Sequence, residues 1–357
     1  MSDVKLKTAI LGLDEGGRFL LDVVGQVDYY ELVAVADKDP NLVEKVAAEH
    51  KCTFYDDYRQ LIIQNQLDCL LVAESIHSCD EYIRTAMKKK FNVLKMIPAA
   101  RNFEEAAELV CLSEAENVKF TVATAGRFIR SYHALRRFLQ EGIIETPKGP
   151  NITKDQWEPF LLTAFCNVGD FPRHNWQTDP KLAGGGVLLH NCYRFIDQIV
   201  WNFGLPEQIY SLGTNQAHDK QQRLYLTEDT IVVTMKFSDT FIGNIIASRR
   251  EGIGPREEFL RLYGKDRILT VSSSQLTVSD GGGQICAELK YEDSESGCMK
   301  ELLRNFALSI LSPDDNKLFS SGRENLKNMA VIESAYLSAK TGFPEEPGRI
   351  MQMAASI

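Results

Sequence analysis

A short apolar run, Thr8 to Leu11, stops at Gly12-Leu13-Asp14-Glu15-Gly16-Gly17, and a helical pattern through Phe19, Leu20, Val23 and Val24 follows at once. This is strand, tight turn, helix. A second buried run, Leu32 to Ala36, ends at Asp37, about 20 residues beyond Gly17, where a dinucleotide-binding fold places the carboxylate that accepts hydrogen bonds from ribose hydroxyls. In such a turn Gly12 permits the bend, the third position lets backbone approach the pyrophosphate, and Gly17 lets helix and strand pack closely, with Gly16 a further candidate cofactor contact. Asp14 stands at the turn's third position, normally glycine. Its carboxylate competes with phosphate for the helix N-terminus unless Arg18, four residues on, neutralises it. The other reading makes Asp14 a helix cap in a nucleotide-free fold. Asp37 repels a 2'-phosphate and so favours NAD over NADP, while the neighbouring Lys38 argues the opposite way; Asp37 also reads as a turn residue ahead of Pro40.

Strand and helix patterns continue to alternate: Cys69 to Ala73, a helix over Asp80 to Lys90, Asn92 to Ile97, a helix over Phe103 to Asn117, and Lys119 to Ala123. Alternation of this kind implies a parallel sheet with its ligand at the carboxyl ends of the strands. The fold class is α/β, with a Rossmann domain over residues 1–123 and a second domain over 124–357. Strand-like runs at Glu207 to Gly213, Thr230 to Phe237, Ile242 to Ser248, Phe259 to Tyr263 and Ile268 to Val271 belong to the latter.

The 357 residues suffice for two ordinary domains, and no apolar stretch approaches the roughly 18 residues of a membrane helix. A formal charge of -9 disfavours nucleic acid, and the one basic run, Lys88-Lys89-Lys90, sits at a helix end where cations are favoured. Eight cysteines without a Cys-x-x-Cys pair point to no metal site and no disulfide framework. The first strand begins within the first dozen residues, which leaves no room for a signal peptide and fits a cytoplasmic protein.

With the fingerprint, Asp37 and the order of elements together, the chain resembles the Gfo/Idh/MocA oxidoreductases. Arg127-Phe128, Gly184-Gly185-Gly186 through Asp197, Glu228-Asp229-Thr230, Ser248, Gly264 and the tail Ser334 to Pro344 carry the resemblance to nearly full length. It implies a second domain built on a large, mostly antiparallel sheet, with the C-terminal helix over 321–340 packing back on the first domain. It also implies a homodimer or homotetramer, a nicotinamide cofactor, and hydride transfer to or from a sugar, cyclitol or related polyol.

The family's chemical positions depart from pattern. Its Glu-Lys-Pro triplet reads Met96-Ile97-Pro98, so the proton-transferring lysine is Ile97, which has no proton to move. Lys95, two residues upstream on the strand, is a poor geometric substitute. Pro-Asn followed by His becomes Glu74-Ser75-Ile76 with Cys79 at the histidine position, leaving Ser75, His77 and Pro98 as candidate cofactor contacts. The Asp, His and Asp that follow the glycine triplet become His190, Arg194 and Asp197. At helical spacing the three share one face. His190 is the candidate acid–base group, and Arg194, Asp197 and Arg127 are candidate substrate or anion contacts. Arg173 and His174, in the segment Phe171 to Trp176, are further candidates for a polar or anionic small molecule. Loss of lysine, aspartate and histidine together leaves a second reading open: a catalytically silent relative that binds a nucleotide or anion as a sensor or partner subunit.

Overall fold

The computed structural model describes residues 4–144, 151–154, 157–169, 175–216, 226–250 and 254–354. It divides into two compact units, Met1–Ala125 with Ser294–Leu326, and Gly126–Asp293 with Lys327–Ser356.

The first unit is a Rossmann sheet. Its strands are β1 (Leu6–Leu11), β2 (Tyr30–Ala36), β3 (Thr53–Tyr55), β4 (Cys69–Val72), β5 (Asn92–Lys95) and β6 (Phe120–Val122), in the order β3-β2-β1-β4-β5-β6 and all parallel. Helices α1 (Glu15–Val24), α2 (Pro40–His50), α3 (Tyr58–Gln64), α4 (Asp80–Lys88) and α5 (Phe103–Ala115) connect them. β4 is apolar throughout because both faces of a parallel sheet are covered. Three elements went unread in the sequence: α2, β3 and α3. β3 is a three-residue edge strand with no buried residue, so it carries no periodic signal.

The segment that returns to this unit is Ser294–Leu326, which takes in the first residues of the helix expected over 321–340 together with the stretch before it. It contains a 17-residue helix, Glu295–Leu311, whose Leu303 carbonyl accepts the Tyr30 hydroxyl at 2.6 Å. The Ser320 carbonyl accepts Thr121 Oγ1, also at 2.6 Å.

In the second unit, helix α6 (Arg130–Glu141) leads through the short pair β7 (Ile143–Ile144) and β8 (Ile152–Thr153) to β9 (Pro159–Asn167). Three helices follow, α7 (Pro180–Ala183), α8 (Val187–His190) and α9 (Tyr193–Phe203). The strands β10 (Gln208–Thr214), β11 (Thr230–Lys236), β12 (Ile242–Ser248), β13 (Glu257–Gly264), β14 (Arg267–Val271), β15 (Gln275–Asp280) and β16 (Ile285–Lys290) then build one sheet. Its order is β10-β11-β12-β9-β13-β14-β15-β16, antiparallel except where β9 meets β12. The helix Glu295–Leu311 is α10, and α11 (Gly322–Thr341) and α12 (Pro347–Met353) complete the chain.

Alternation separates the two faces of this sheet. Ile231, Val233, Ile245, Ala247, Leu162, Ala164, Leu260 and Leu262 are buried. On the other face Leu212, Val232, Ile246, Phe165 and Phe259 stand side by side in register across five strands, and Leu212, Val232 and Ile246 are exposed. The rings of Phe165 and Phe259 stack at 5.6 Å.

The lysine run at the end of α4 is used locally. Lys89 Nζ donates to the Ile62, Ile63 and Asn65 carbonyls at 2.8, 3.0 and 3.2 Å, a cation set on the C-terminal end of α3. Lys90 pairs with Glu116 at 2.7 Å, while Lys88 is exposed. Lys89→Met is therefore expected to lower unfolding stability in urea by about 1.5–3 kcal/mol, the usual cost of losing charged hydrogen bonds, and Lys88→Met to leave it unchanged. Equal effects would show that the cap does not hold α3.

Candidate cofactor and substrate sites

The glycine turn after β1 is built by close approach. Gly12 has φ of +89°, and a Cβ there would lie 2.6 Å from the Glu74 amide nitrogen at the end of β4. A Cβ on Gly17 would overlap the Gly12 carbonyl, so helix and strand meet there only through glycine. Gly16 has room for a side chain, its nearest neighbour being Asp14 Oδ1 at 3.4 Å. Asp37 braces the turn from β2: Oδ2 accepts from Leu13 N at 2.6 Å and Oδ1 from Asp39 N at 2.9 Å. Each oxygen keeps a lone pair for a ribose hydroxyl. Asp14 caps α1, accepting from Gly17 N at 3.2 Å, with Glu15 in the first turn. The donor a diphosphate would use is thus held by the protein's own carboxylate.

At the end of β4, Glu74 gathers donors: Ser75 N at 2.7 Å, Ser78 Oγ at 2.9 Å, and the Tyr58 hydroxyl. Burial works against its charge, but these hydrogen bonds and nearby Lys38 hold the carboxyl below its ordinary range. Burial and Glu74 together push Tyr58 well up. Lys38 lies 5.3 Å from the Tyr58 ring centroid, a cation–π contact. Burial lowers the His77 imidazolium, opposed by Glu74 and reinforced by Lys38 and Arg101. Tyr58 had no signal in the sequence. It comes into the site because β3, also unread, delivers α3 beside β2.

Lys95 is 3% exposed, and burial pushes its ammonium below the ordinary lysine range. Its Nζ donates to the Pro98 carbonyl at 2.8 Å and that of Met96 at 3.2 Å, so it fastens the turn that holds Ile97 and Pro98. The Ile97–Pro98 peptide is cis.

In the second unit, His190, Arg194 and Asp197 do not share one helix face. The chain breaks between α8 and α9 at Asn191 and Cys192, and each of the three has its own partner. Asp197 lies 1% and Arg127 3% exposed at their side chains, joined by hydrogen bonds of 2.7, 2.9 and 3.2 Å. Asn328 Nδ2 completes the set on Asp197 at 2.9 Å, and Trp201 lies 5.8 Å from the Arg127 guanidinium. These two side chains hold one another away from solvent. Arg194 pairs with Glu258 on β13, and Arg256 approaches the same carboxylate at 3.4 Å.

His190 Nε2 lies 3.0 Å from the Ala183 carbonyl, with the Trp176 ring edge-on at 5.6 Å. A carbonyl only accepts, so Nε2 carries the proton in this contact. Arg173 and His174 lie outside the described residues. Sequence reading passed over Glu228 as a working residue. Its carboxylate accepts from Gly186 N at 2.7 Å, Leu188 N at 3.0 Å and Tyr336 OH at 3.0 Å. Among the described residues no group of three or more His, Cys, Asp or Glu side chains is placed to hold a metal, and no helix is long and apolar enough to cross a membrane.

Two family models match the chain: "Oxidoreductase family, NAD-binding Rossmann fold" over residues 6–124 and "GFO/IDH/MocA C-terminal domain" over 132–270. An uncharacterized oxidoreductase of Streptococcus pneumoniae is 23% identical over 56% of the chain and 52% of its own length. The 2,7-anhydro-N-acetylneuraminate hydratase of Escherichia coli is 24% identical over 50% of the chain and 45% of its own. The chain thus spans about half the length of these two relatives. Solved structures share the fold over nearly full length. An oxidoreductase from Agrobacterium radiobacter in complex with NAD+, L-tartaric acid and magnesium superposes with a TM-score of 0.78 (18% identity; 97% and 100% of the two chains). Levoglucosan dehydrogenase with NADH and levoglucosan gives 0.82 (13%; 96% and 99%), and the WlbA dehydrogenase from Bordetella pertussis with NADH and UDP-GlcNAcA 0.75 (17%; 96% and 98%).

If Arg127 and Asp197 serve structure, Arg127→Met strands a buried carboxylate and destabilises the protein by about 3–5 kcal/mol. Pairing it with Asp197→Asn recovers part of that loss in denaturant titrations. A fully stable single variant would return both residues to the list of ligand contacts.

Proposed function

Since the chain belongs to the GFO/IDH/MocA oxidoreductase family, we propose that it is an NAD-dependent oxidoreductase acting at a CH–OH or carbonyl carbon of a sugar, cyclitol or related polyol. The observation that carries this reading is the turn itself. Gly12 and Gly17 have no space for side chains, and Asp37 braces Leu13 N while keeping lone pairs for a ribose. Asp37 and the retention of Lys38 over the Tyr58 ring favour NAD over NADP. Bound nicotinamide supplies the hydride acceptor or donor.

Proton movement falls to His190. Ile97 has no ionisable group, Lys95 is committed to backbone carbonyls, and Arg194 is committed to Glu258. Held by the Ala183 carbonyl, the His190 ring exchanges a proton with the substrate oxygen. Arg194 orients the substrate together with Glu258. Their charges largely cancel, which suits a hydroxyl-rich molecule better than a strongly anionic one. Of the molecules named with the similar solved structures, levoglucosan is of this hydroxyl-rich kind.

Calorimetric titration with NADH and NADPH, on the native protein and on Asp14→Gly, tests the proposal. NADH is expected to bind more tightly than NADPH, and the variant to gain about tenfold in affinity, or ~1.4 kcal/mol, by releasing Gly17 N to the diphosphate. Absence of binding by both proteins would overturn it. Binding by the variant alone would favour a catalytically silent relative.

The row Leu212, Val232, Ile246, Phe165 and Phe259 supports self-association through the open sheet face, with a second copy of this chain as occupant. Native protein is expected to run as a dimer or tetramer in sedimentation, and Val232→Lys to shift it toward monomer. A monomeric native protein at micromolar concentration would end that proposal.

A further inference from the structure

We propose that Glu228 is a positioning residue that sets where His190 stands, an inference resting on the assignment of proton transfer to His190. α8 is a single helical turn, too short to hold itself by its own hydrogen bonds. Its opening amides are instead taken up by one residue. Gly186 N donates to Glu228 Oε2 at 2.7 Å, Val187 N to the Glu228 main-chain carbonyl at 3.1 Å, and Leu188 N to Oε1 at 3.0 Å. The Gly186 carbonyl then receives His190 N at 3.0 Å, so two hydrogen bonds separate the carboxylate from the backbone of the histidine.

Two glycines of the triplet make this contact possible. A Cβ on Gly186 would overlap the Glu228 carbonyl, and one on Gly185 would overlap the Tyr336 hydroxyl. Tyr336 donates to Oε1 at 3.0 Å and accepts from Gly186 N at 3.2 Å, so it closes the cradle from α11. Burial alone would favour the neutral acid, and it does push the Glu228 carboxyl up. The Leu188 and Gly186 amides, the amide of Glu228 itself and the Tyr336 hydroxyl pull the other way. A glutamine at 228 keeps the shape but turns an NH2 group toward backbone N–H donors, which opens the turn at its start.

The experiment uses full-length protein labelled with 15N-histidine, the His190 signals being those missing from His190→Gln. In Glu228→Gln the His190 ring nitrogens are expected to shift while the other histidines stay in place. NADH affinity should be unchanged, and kcat should fall at least tenfold with little change in KM for the cofactor. Tyr336→Phe, which leaves the carboxylate on its amides, should give a smaller shift in the same direction. Unmoved His190 signals in a folded Glu228→Gln protein would overturn the inference. If that variant fails to fold, unmoved signals in Tyr336→Phe would do so. Failure of the native protein to bind NADH would count against the proposed function alone, because the ring shifts are read without turnover.

Discussion

Carboxylates holding backbone amides at tight turns are the interaction on which both candidate sites depend. Asp37 holds Leu13 N, Asp14 holds Gly17 N, Glu74 holds Ser75 N, and Glu228 holds Gly186 N and Leu188 N. Where a strand gives way abruptly to a helix, the first amides have no intrahelical acceptor, and burying them unpaired is costly. Glycine lets the backbone come close enough for an anionic side chain to take them. The same donors that a carboxylate satisfies from within are those a phosphate would satisfy from outside. Asp14 is thus both a stabilising cap and a competitor for ligand.

The first unit was largely legible because its elements alternate and its strands are apolar runs bounded by turn residues. What escaped included the edge strand β3, which has no buried residue, β9, whose alternation in Pro159–Asn167 is blurred by apolar residues on both faces, and the short helices α2 and α3, whose buried faces are only three residues each. At the sites, Gly12, Gly17 and Asp37 could be read because their spacing is local. Tyr58 and Glu228 could not. Their contacts, Glu74 for one and Gly186 for the other, lie 16 and 42 residues away, and no pattern in one sequence links them.

Helical spacing misled at residues 190 to 197. The i, i+4, i+7 rule assumes an unbroken helix, and here Asn191 and Cys192 interrupt it. The residue types nevertheless make sense with their partners. Arg194 is accompanied by Glu258 across the sheet, and Lys95 is buried only because the Met96 and Pro98 carbonyls receive it.

Trp201, set against Arg127 and 4.1 Å from the Arg136 guanidinium, and Trp176, edge-on to His190, have a practical consequence. With Trp157 they are the chain's three tryptophans, and all belong to the second unit. Indole emission is therefore a private reporter of that unit. The nucleotide-fold unit has only tyrosines and is optically quiet at indole wavelengths, so the two halves can be told apart by colour when one loosens before the other.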